Sequence, residues 1–175
     1  PAVPGGLRRI HVDALPAPQD MARANLPPQV ALQGGAASIA YIVYTSGSTG
    51  QPKGVFQNQR GLLHDVDQYT QAAGLGPQDR LSWLYSPSVN GAIRDVYAAL
   101  LNGASLVSLD ARRLGLRALG EALARHRVSV LHAIPPLLRA FLQSEPPAQL
   151  LVSVRLAYVA GDRFFSSDLA MFWRH

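Results

Sequence analysis

The sequence predicts an α/β protein, a mainly parallel sheet with helices on both faces. From Ile39 onward, β-branched and aromatic runs alternate with stretches of helical periodicity across short links. Strand, helix and strand repeated in this way require crossover connections, which are right-handed and set neighbouring strands parallel. No internal repeat of fixed period points to a solenoid instead.

The first 38 residues differ from the rest. They carry Pro1, Pro4, Pro16, Pro18, Pro27 and Pro28 with the pairs Gly5-Gly6 and Gly34-Gly35. Proline removes backbone donors and fixes φ, so this density cannot sustain a central strand or a long helix. Residues 1–38 are read as a connecting segment of the same domain with one strand-like patch, Leu7 to Val12, and residues 39–175 as the core. The predicted strands are Ile39 to Thr45, Arg80 to Tyr85, Ala104 to Leu109, Val128 to His132 and Arg155 to Ala160. Asn58 is placed to cap a helix over Gln59 to Ala73, with Leu62, Leu63, Val66 and Tyr69 on one face and Gly74 as a left-handed stop. Asn90 opens a second helix, in which Ile93, Val96, Tyr97, Leu100 and Leu101 recur at helical spacing before Asn102-Gly103. Further helices are expected at Leu114 to His126, Pro136 to Ser144 and Ser167 to Arg174, the last capped by Ser166 or Ser167.

A chain of 175 residues fits one domain, and 48% hydrophobic against 15% charged residues excludes general disorder. The longest apolar runs fall far short of the roughly 20 residues of a membrane span, and no basic-then-apolar signal opens the chain. A soluble protein is expected, with the cytoplasm as the default location. Zero cysteines exclude disulfides, thiolate zinc sites and thiol nucleophiles. The formal charge of +5 is dispersed as pairs, Arg8-Arg9 and Arg112-Arg113, or singly, which favours a solvated surface over a nucleic-acid or membrane partner. Fifteen of the sixteen basic residues are arginine; the single lysine is Lys53. The chain lacks an initiator methionine and stops within a helical pattern at Phe172 to His175, so it is read as a piece of a longer protein.

Chemistry concentrates after the first core strand. Thr45 to Gly54 holds four small hydroxyls, three glycines and Lys53 within ten residues. Glycines allow close backbone approach, hydroxyls and N–H groups donate to oxyanions, and a lysine supplies mobile positive charge. The pattern outlines an anion cradle; composition alone also allows a flexible Ser/Gly turn. It is not a Walker A loop, because Lys53 lies between Pro52 and Gly54, and no G-x-G-x-x-G spacing occurs for a dinucleotide.

Tyr44 through Gly54, Tyr-Thr-Ser-Gly-Ser-Thr-Gly-Gln-Pro-Lys-Gly, resembles the phosphate-binding signature of the acyl-adenylating superfamily at every position of its YTSGSTGxPKG pattern. Asn90 to Ala104 resembles that family's second core motif, Val128 to Pro136 its following strand and Pro turn, and Leu156 to Asp162 its weaker Gly-Gly-Glu segment. The phrasing is closer to adenylation domains of nonribosomal peptide synthetases than to stand-alone acyl-CoA synthetases. The resemblance implies part of the large N-terminal subdomain of an adenylate-forming enzyme. Such an enzyme activates a carboxylic acid with ATP and Mg²⁺ as acyl-AMP, then passes the acyl group to the phosphopantetheine thiol of a carrier protein domain.

By the same resemblance, Thr45, Ser46, Gly47, Ser48, Thr49, Gly50 and Lys53 hold the β and γ phosphates, with Lys53, Thr45 and Ser46 in the catalytic role. Gly161 and Asp162 fall on the adenine side, where Ala160 and Asp162 depart from the family's glycine and glutamate. Asn90, Gly91, Arg94, His132, Tyr158 and Ala160 line the acyl pocket. Amino-acid-activating members carry an aspartate at the position of Asn90, for the substrate's ammonium. A neutral amide lacks that charge, so the expected acid has no standard α-amine: an aryl, hydroxy, keto or short acyl acid. Capping its helix is the equal alternative for Asn90. Arg94 and His132 suit an anionic or strongly polar tail, although Arg94 on a solvent face and His132 as a core residue are the plain alternatives.

No protein metal site is expected, since His11, His64, His126, His132 and His175 show no ligand spacing. Ser46 and Ser48 do not satisfy G-x-S-x-G, which disfavours an esterase. The family's later Gly-Pro-Thr-Glu segment, ribose-gripping aspartate and C-terminal catalytic lysine do not occur here. The chain therefore needs the remainder of the adenylation domain as a partner and is expected to be inactive alone. A non-catalytic scaffold reusing this core, a stand-alone acyl-CoA synthetase and a γ-phosphate-cleaving NTPase are the alternatives.

Overall fold

A computed structural model of the chain describes residues 34–45, 51–87 and 89–174. The strand-like patch Leu7 to Val12 and loop residues Ser46, Gly47, Ser48, Thr49 and Gly50 lie outside them. The described elements are β1 (Ile39–Thr45), β2 (Lys53–Asn58), α1 (Gln59–Ala73), β3 (Arg80–Trp83), α2 (Asn90–Leu101), β4 (Ser105–Ser108), α3 (Ala111–Arg125), β5 (Val130–Ala133), α4 (Pro135–Gln143), a 3₁₀ turn (Ala148–Leu150), β6 (Leu156–Val159) and α5 (Ser166–Phe172).

Four strands form a parallel sheet in the order β4-β3-β5-β6, each joined to the next in sequence through helix. Side chains alternate across a strand, and β5 shows the consequence. Val130 packs with Leu62, Val66, Tyr69, Leu81, Ala98 and Ala99, beneath α1 and α2. Leu131 and Ala133 face the opposite way, into Leu119, Leu123, Leu138, Phe141 and Leu142 of α3 and α4. All four β5 residues are buried, as a strand covered on both faces must be.

β1 departs from the expectation that it belongs to the parallel sheet. It pairs antiparallel with β2 in a separate two-stranded hairpin, in which Thr45 faces Lys53 and Val43 faces Val55. β2 itself was not anticipated, because Lys53 to Asn58 opens with a lysine and a glycine and closes on two amides, so only its central pair reads as strand.

The helix ends follow local chemistry. The Asn58 side chain accepts from the Gly61 N–H at 2.7 Å, and Gly74 at φ 56°, ψ 46° closes α1 in the left-handed region, where glycine has no Cβ to clash. Asp110 caps α3 through the N–H groups of Arg112 and Arg113, so the helix starts three residues before the predicted Leu114. Gly115, at φ 74° and ψ 168°, interrupts it after one turn. Neither Ser166 nor Ser167 caps α5; Phe165 occupies that position, and the Asp168 carboxylate reaches back to its N–H at 2.9 Å. In α2 the buried stripe is Ala92, Asp95, Ala98 and Ala99, while Leu100 and Leu101 are exposed. Among the described residues, no helix is long and apolar enough to cross a membrane.

Candidate functional site

The hairpin brings the two ends of the anion-cradle sequence together. Thr45 and Lys53 are register partners, and the Thr45 hydroxyl donates to the Lys53 carbonyl at 3.4 Å. Both residues are exposed. Among the described residues no carboxylate lies within ion-pair distance of Lys53, so its charge is available to a ligand.

The predicted acyl-pocket residues Gly91 and Arg94 of α2, which packs on β3 and β4, meet His132 of β5 and Tyr158 of β6 through their side chains. β5 and β6 pair His132 with Tyr158 in register. The imidazole of His132 is 1% exposed, and its backbone N–H donates to Ser82 Oγ at 2.9 Å. Around it stand Tyr85 and Tyr158, with ring centroids 4.6 Å and 4.7 Å away, and Tyr69 at 6.3 Å. Gly91, at the start of α2, sits against this ring: a Cβ there would lie 3.7 Å from His132 Cε1.

Arg94 projects from α2 against an edge-to-face pair of rings, Tyr69 and Tyr158, whose centres are 5.2 Å apart. Its guanidinium carbon is 4.7 Å from the Tyr69 ring centre and 4.8 Å from that of Tyr158, a cation–π contact with each. The solvent-face alternative therefore does not hold. Its polar contacts are long, Nη1 to Tyr158 Oη at 3.4 Å and Nη2 to His132 Nε2 at 3.5 Å. Arg94 Nε and Tyr69 Oη are buried with no partner among the described residues. An orphaned buried donor costs roughly 1–3 kcal/mol.

Asp95 was absent from the predicted site. Its buried carboxylate meets His132 Nδ1 with both oxygens, at 2.7 Å and 2.6 Å. The signal was present in sequence: Asp95 is the one acidic residue on the alanine stripe of α2, three residues after Ala92 and three before Ala98. Tyr85 was also missed, because it stands in the loop after β3 with no periodicity to mark it. Burial first, and then the Asp95 charge, push the Tyr85 phenol up to about 12 and the Tyr69 phenol higher. Both stay protonated at neutral pH and act as donors rather than as bases.

Asn90 does not cap α2; Val89 holds that position without a side-chain bond. Instead the Asn90 amide oxygen accepts from the Tyr41 hydroxyl of β1, which ties the hairpin to the pocket helix. Burial first, and the nearby Asp65 charge second, raise the Tyr41 phenol. Ala160 follows β6 and its N–H reaches the Ala133 carbonyl at 3.4 Å. Gly161, at φ 95°, and Asp162 are exposed just beyond, with Asp162 bonded to the Arg163 N–H at 2.6 Å. The structure thus assembles Gly91, Arg94, His132 and Tyr158 into one cluster, and sets Ala160, Gly161 and Asp162 at the end of β6.

The sequence matches the AMP-binding enzyme family over residues 6–175. The chain belongs to that family. Among its relatives, cyclosporin synthetase simA of Tolypocladium inflatum is 37% identical over 139 residues, 78% of this chain and 1% of that protein. The nonribosomal peptide synthetase dtxS1 of Metarhizium robertsii is 36% identical over 137 residues, 78% of this chain and 2% of that protein. Among solved structures, the nonribosomal peptide synthetase FmoA3 matches with a TM-score of 0.76 and 27% identity, over 90% of this chain and 17% of that one. The N-terminal domain of FACL13 from Mycobacterium tuberculosis, at 21% identity and TM-score 0.72 over 89% of this chain and 39% of that one, shares the fold. This AMP-binding chain therefore has the α/β core of adenylate-forming N-terminal domains and spans only a small part of the synthetases it resembles.

Proposed function

We propose that this AMP-binding chain is part of an adenylation domain that activates a carboxylic acid and delivers it to a carrier protein. A substrate carboxylate oxygen attacks the α-phosphorus of ATP, the bond to the β-phosphate bridging oxygen breaks, and pyrophosphate leaves with the electron pair. The thiolate of a phosphopantetheine arm then attacks the acyl carbon, and AMP departs. Both steps gain most from positioning and preorganised positive potential.

The observation that carries this reading is the hairpin register, which sets Thr45 opposite Lys53 at the base of the Thr45 to Gly54 signature. Thr45, Ser46, Gly47, Ser48, Thr49, Gly50 and Lys53 would hold the β and γ phosphates. Mg²⁺, when bound, neutralises charge on the leaving pyrophosphate. Among the described residues no group of three His, Asp or Glu is placed to hold a metal, so its ligands would be phosphate oxygens, waters and loop hydroxyls. Gly161 and Asp162, at the end of β6, would face the adenine.

The neutral Asn90, engaged by Tyr41, favours an acid without an α-amine. Its test is ATP–pyrophosphate exchange by the full-length protein across a panel of α-amino, hydroxy, keto, aryl and short acyl acids. Activity is expected with the amine-free acids; preference for an ordinary α-amino acid overturns the substrate reading.

A further inference from the structure

We propose that Arg94 selects an acid whose tail ends in a second carboxylate, and that Asp95 is the positioning residue that keeps Arg94 free to bind it. This rests on the adenylation reading and narrows its substrate class.

The cluster holds one cation and one carboxylate, and they are not engaged with each other. Both Asp95 oxygens lie on His132 Nδ1, at 2.7 Å and 2.6 Å. That contact turns His132 Nε2 toward Arg94 Nη2, 3.5 Å away. The guanidinium rests on His132 and on the rings of Tyr69 and Tyr158, and no carboxylate hydrogen-bonds it; Asp95 reaches it only across the imidazole. Its Nε and the hydroxyl of Tyr69, a residue only 5% exposed, are buried donors without acceptors among the described residues. Arg94 itself is only partly buried.

A carboxylate suits this arrangement better than a hydroxyl or a methyl group. Its two coplanar oxygens match the forked donors of a guanidinium, which Asp95 leaves without a charge-assisted hydrogen bond. A neutral tail would supply only the weaker neutral hydrogen bond. Asp95, by holding His132 Nδ1, fixes the imidazole against the guanidinium.

The test is ATP–pyrophosphate exchange by the full-length protein with α,ω-dicarboxylates and monocarboxylates of matched length. The dicarboxylates are expected to win by roughly 100-fold in kcat/KM. Arg94→Met should collapse that ratio toward one, and Arg94→Glu should invert it in favour of acids with a terminal ammonium, a gain that misfolding cannot produce. Asp95→Asn should raise KM for the dicarboxylate more than it lowers kcat, with Asp95→Glu restoring most of the loss. Equal use of both acid classes, or a ratio that survives Arg94→Met, overturns the proposal while leaving adenylation intact. No exchange with any carboxylic acid overturns the adenylation reading itself.

Discussion

Asp79 shows how much of this fold can hang on one side chain. Its carboxylate accepts from Arg155 Nε at 2.8 Å and Nη2 at 2.7 Å, from Ser129 Oγ at 2.7 Å and from the Gly76 N–H at 3.0 Å. Arg155 in turn donates to the Ala73 and Gly74 carbonyls that end α1, so one network joins the starts of β3, β5 and β6 to a helix terminus. The Arg155 hydrogen bond, opposed by burial and helped by Ser129 and Gly76, lowers the Asp79 carboxyl to about 2. Its folded-state value lies below the ordinary 3.8, so the stabilisation is complete above that range and is lost as pH falls from 3.8 to about 2. Asp168, lowered to about 2 chiefly by Arg139, adds to the same acid limb. Thermal unfolding followed against pH should drop steeply there, and Asp79→Asn should flatten the drop while costing roughly 1–3 kcal/mol at neutral pH. An unchanged acid limb in the variant would show that the network contributes little. Neither side-chain partner of Asp79 could be read from sequence, since Ser129 and Arg155 are 50 and 76 residues away.

Elements whose ends are coded locally were the most legible. α1 carries its cap, its apolar stripe and its stop within seventeen consecutive residues, Asn58 to Gly74, and its bounds agree with the sequence reading. β2 was not legible, because a short strand of this composition exists only through its partner β1. The inward face of α2 is not marked by its larger apolar residues: alanines let the helix approach the sheet and leave Leu100 and Leu101 outside. Close approach also governs α3. A Cβ on Gly120 would fall 2.8 Å from Leu150 Cδ1 and 3.0 Å from a ring carbon of Phe141. Gly120→Ala should therefore cost roughly 1–3 kcal/mol despite its better helix propensity, measurable by denaturant unfolding. Gly74→Ala should cost about 1 kcal/mol through its left-handed backbone, with no steric clash. If both variants proved neutral, α3 and the α1 stop would be looser than their geometry indicates.

At the scale of the whole molecule, the parallel sheet and its two helical layers were legible from the alternation of periods, while the site was legible in part. The signature loop declared itself by composition and by resemblance. Arg94 and His132 were named, but the Asp95 contact that organises them required a helix, two strands and a loop to meet. The chain covers 17% of the FmoA3 chain it overlays, and the family's later motifs do not occur in its sequence. Expressed alone, these 175 residues are predicted to show no acid-dependent ATP–pyrophosphate exchange, in contrast to the full-length protein. Robust exchange by the isolated chain would mean that the nucleotide site is already complete within it. The most direct measurement is that exchange in the full-length protein carrying Lys53→Met, with its preferred acid. If the hairpin grips the polyphosphate tail of ATP, kcat/KM should fall by roughly 100-fold or more while thermal stability is preserved, because Lys53 is exposed and in no ion pair among the described residues. Exchange at the wild-type rate would contradict a phosphate-binding role for the loop.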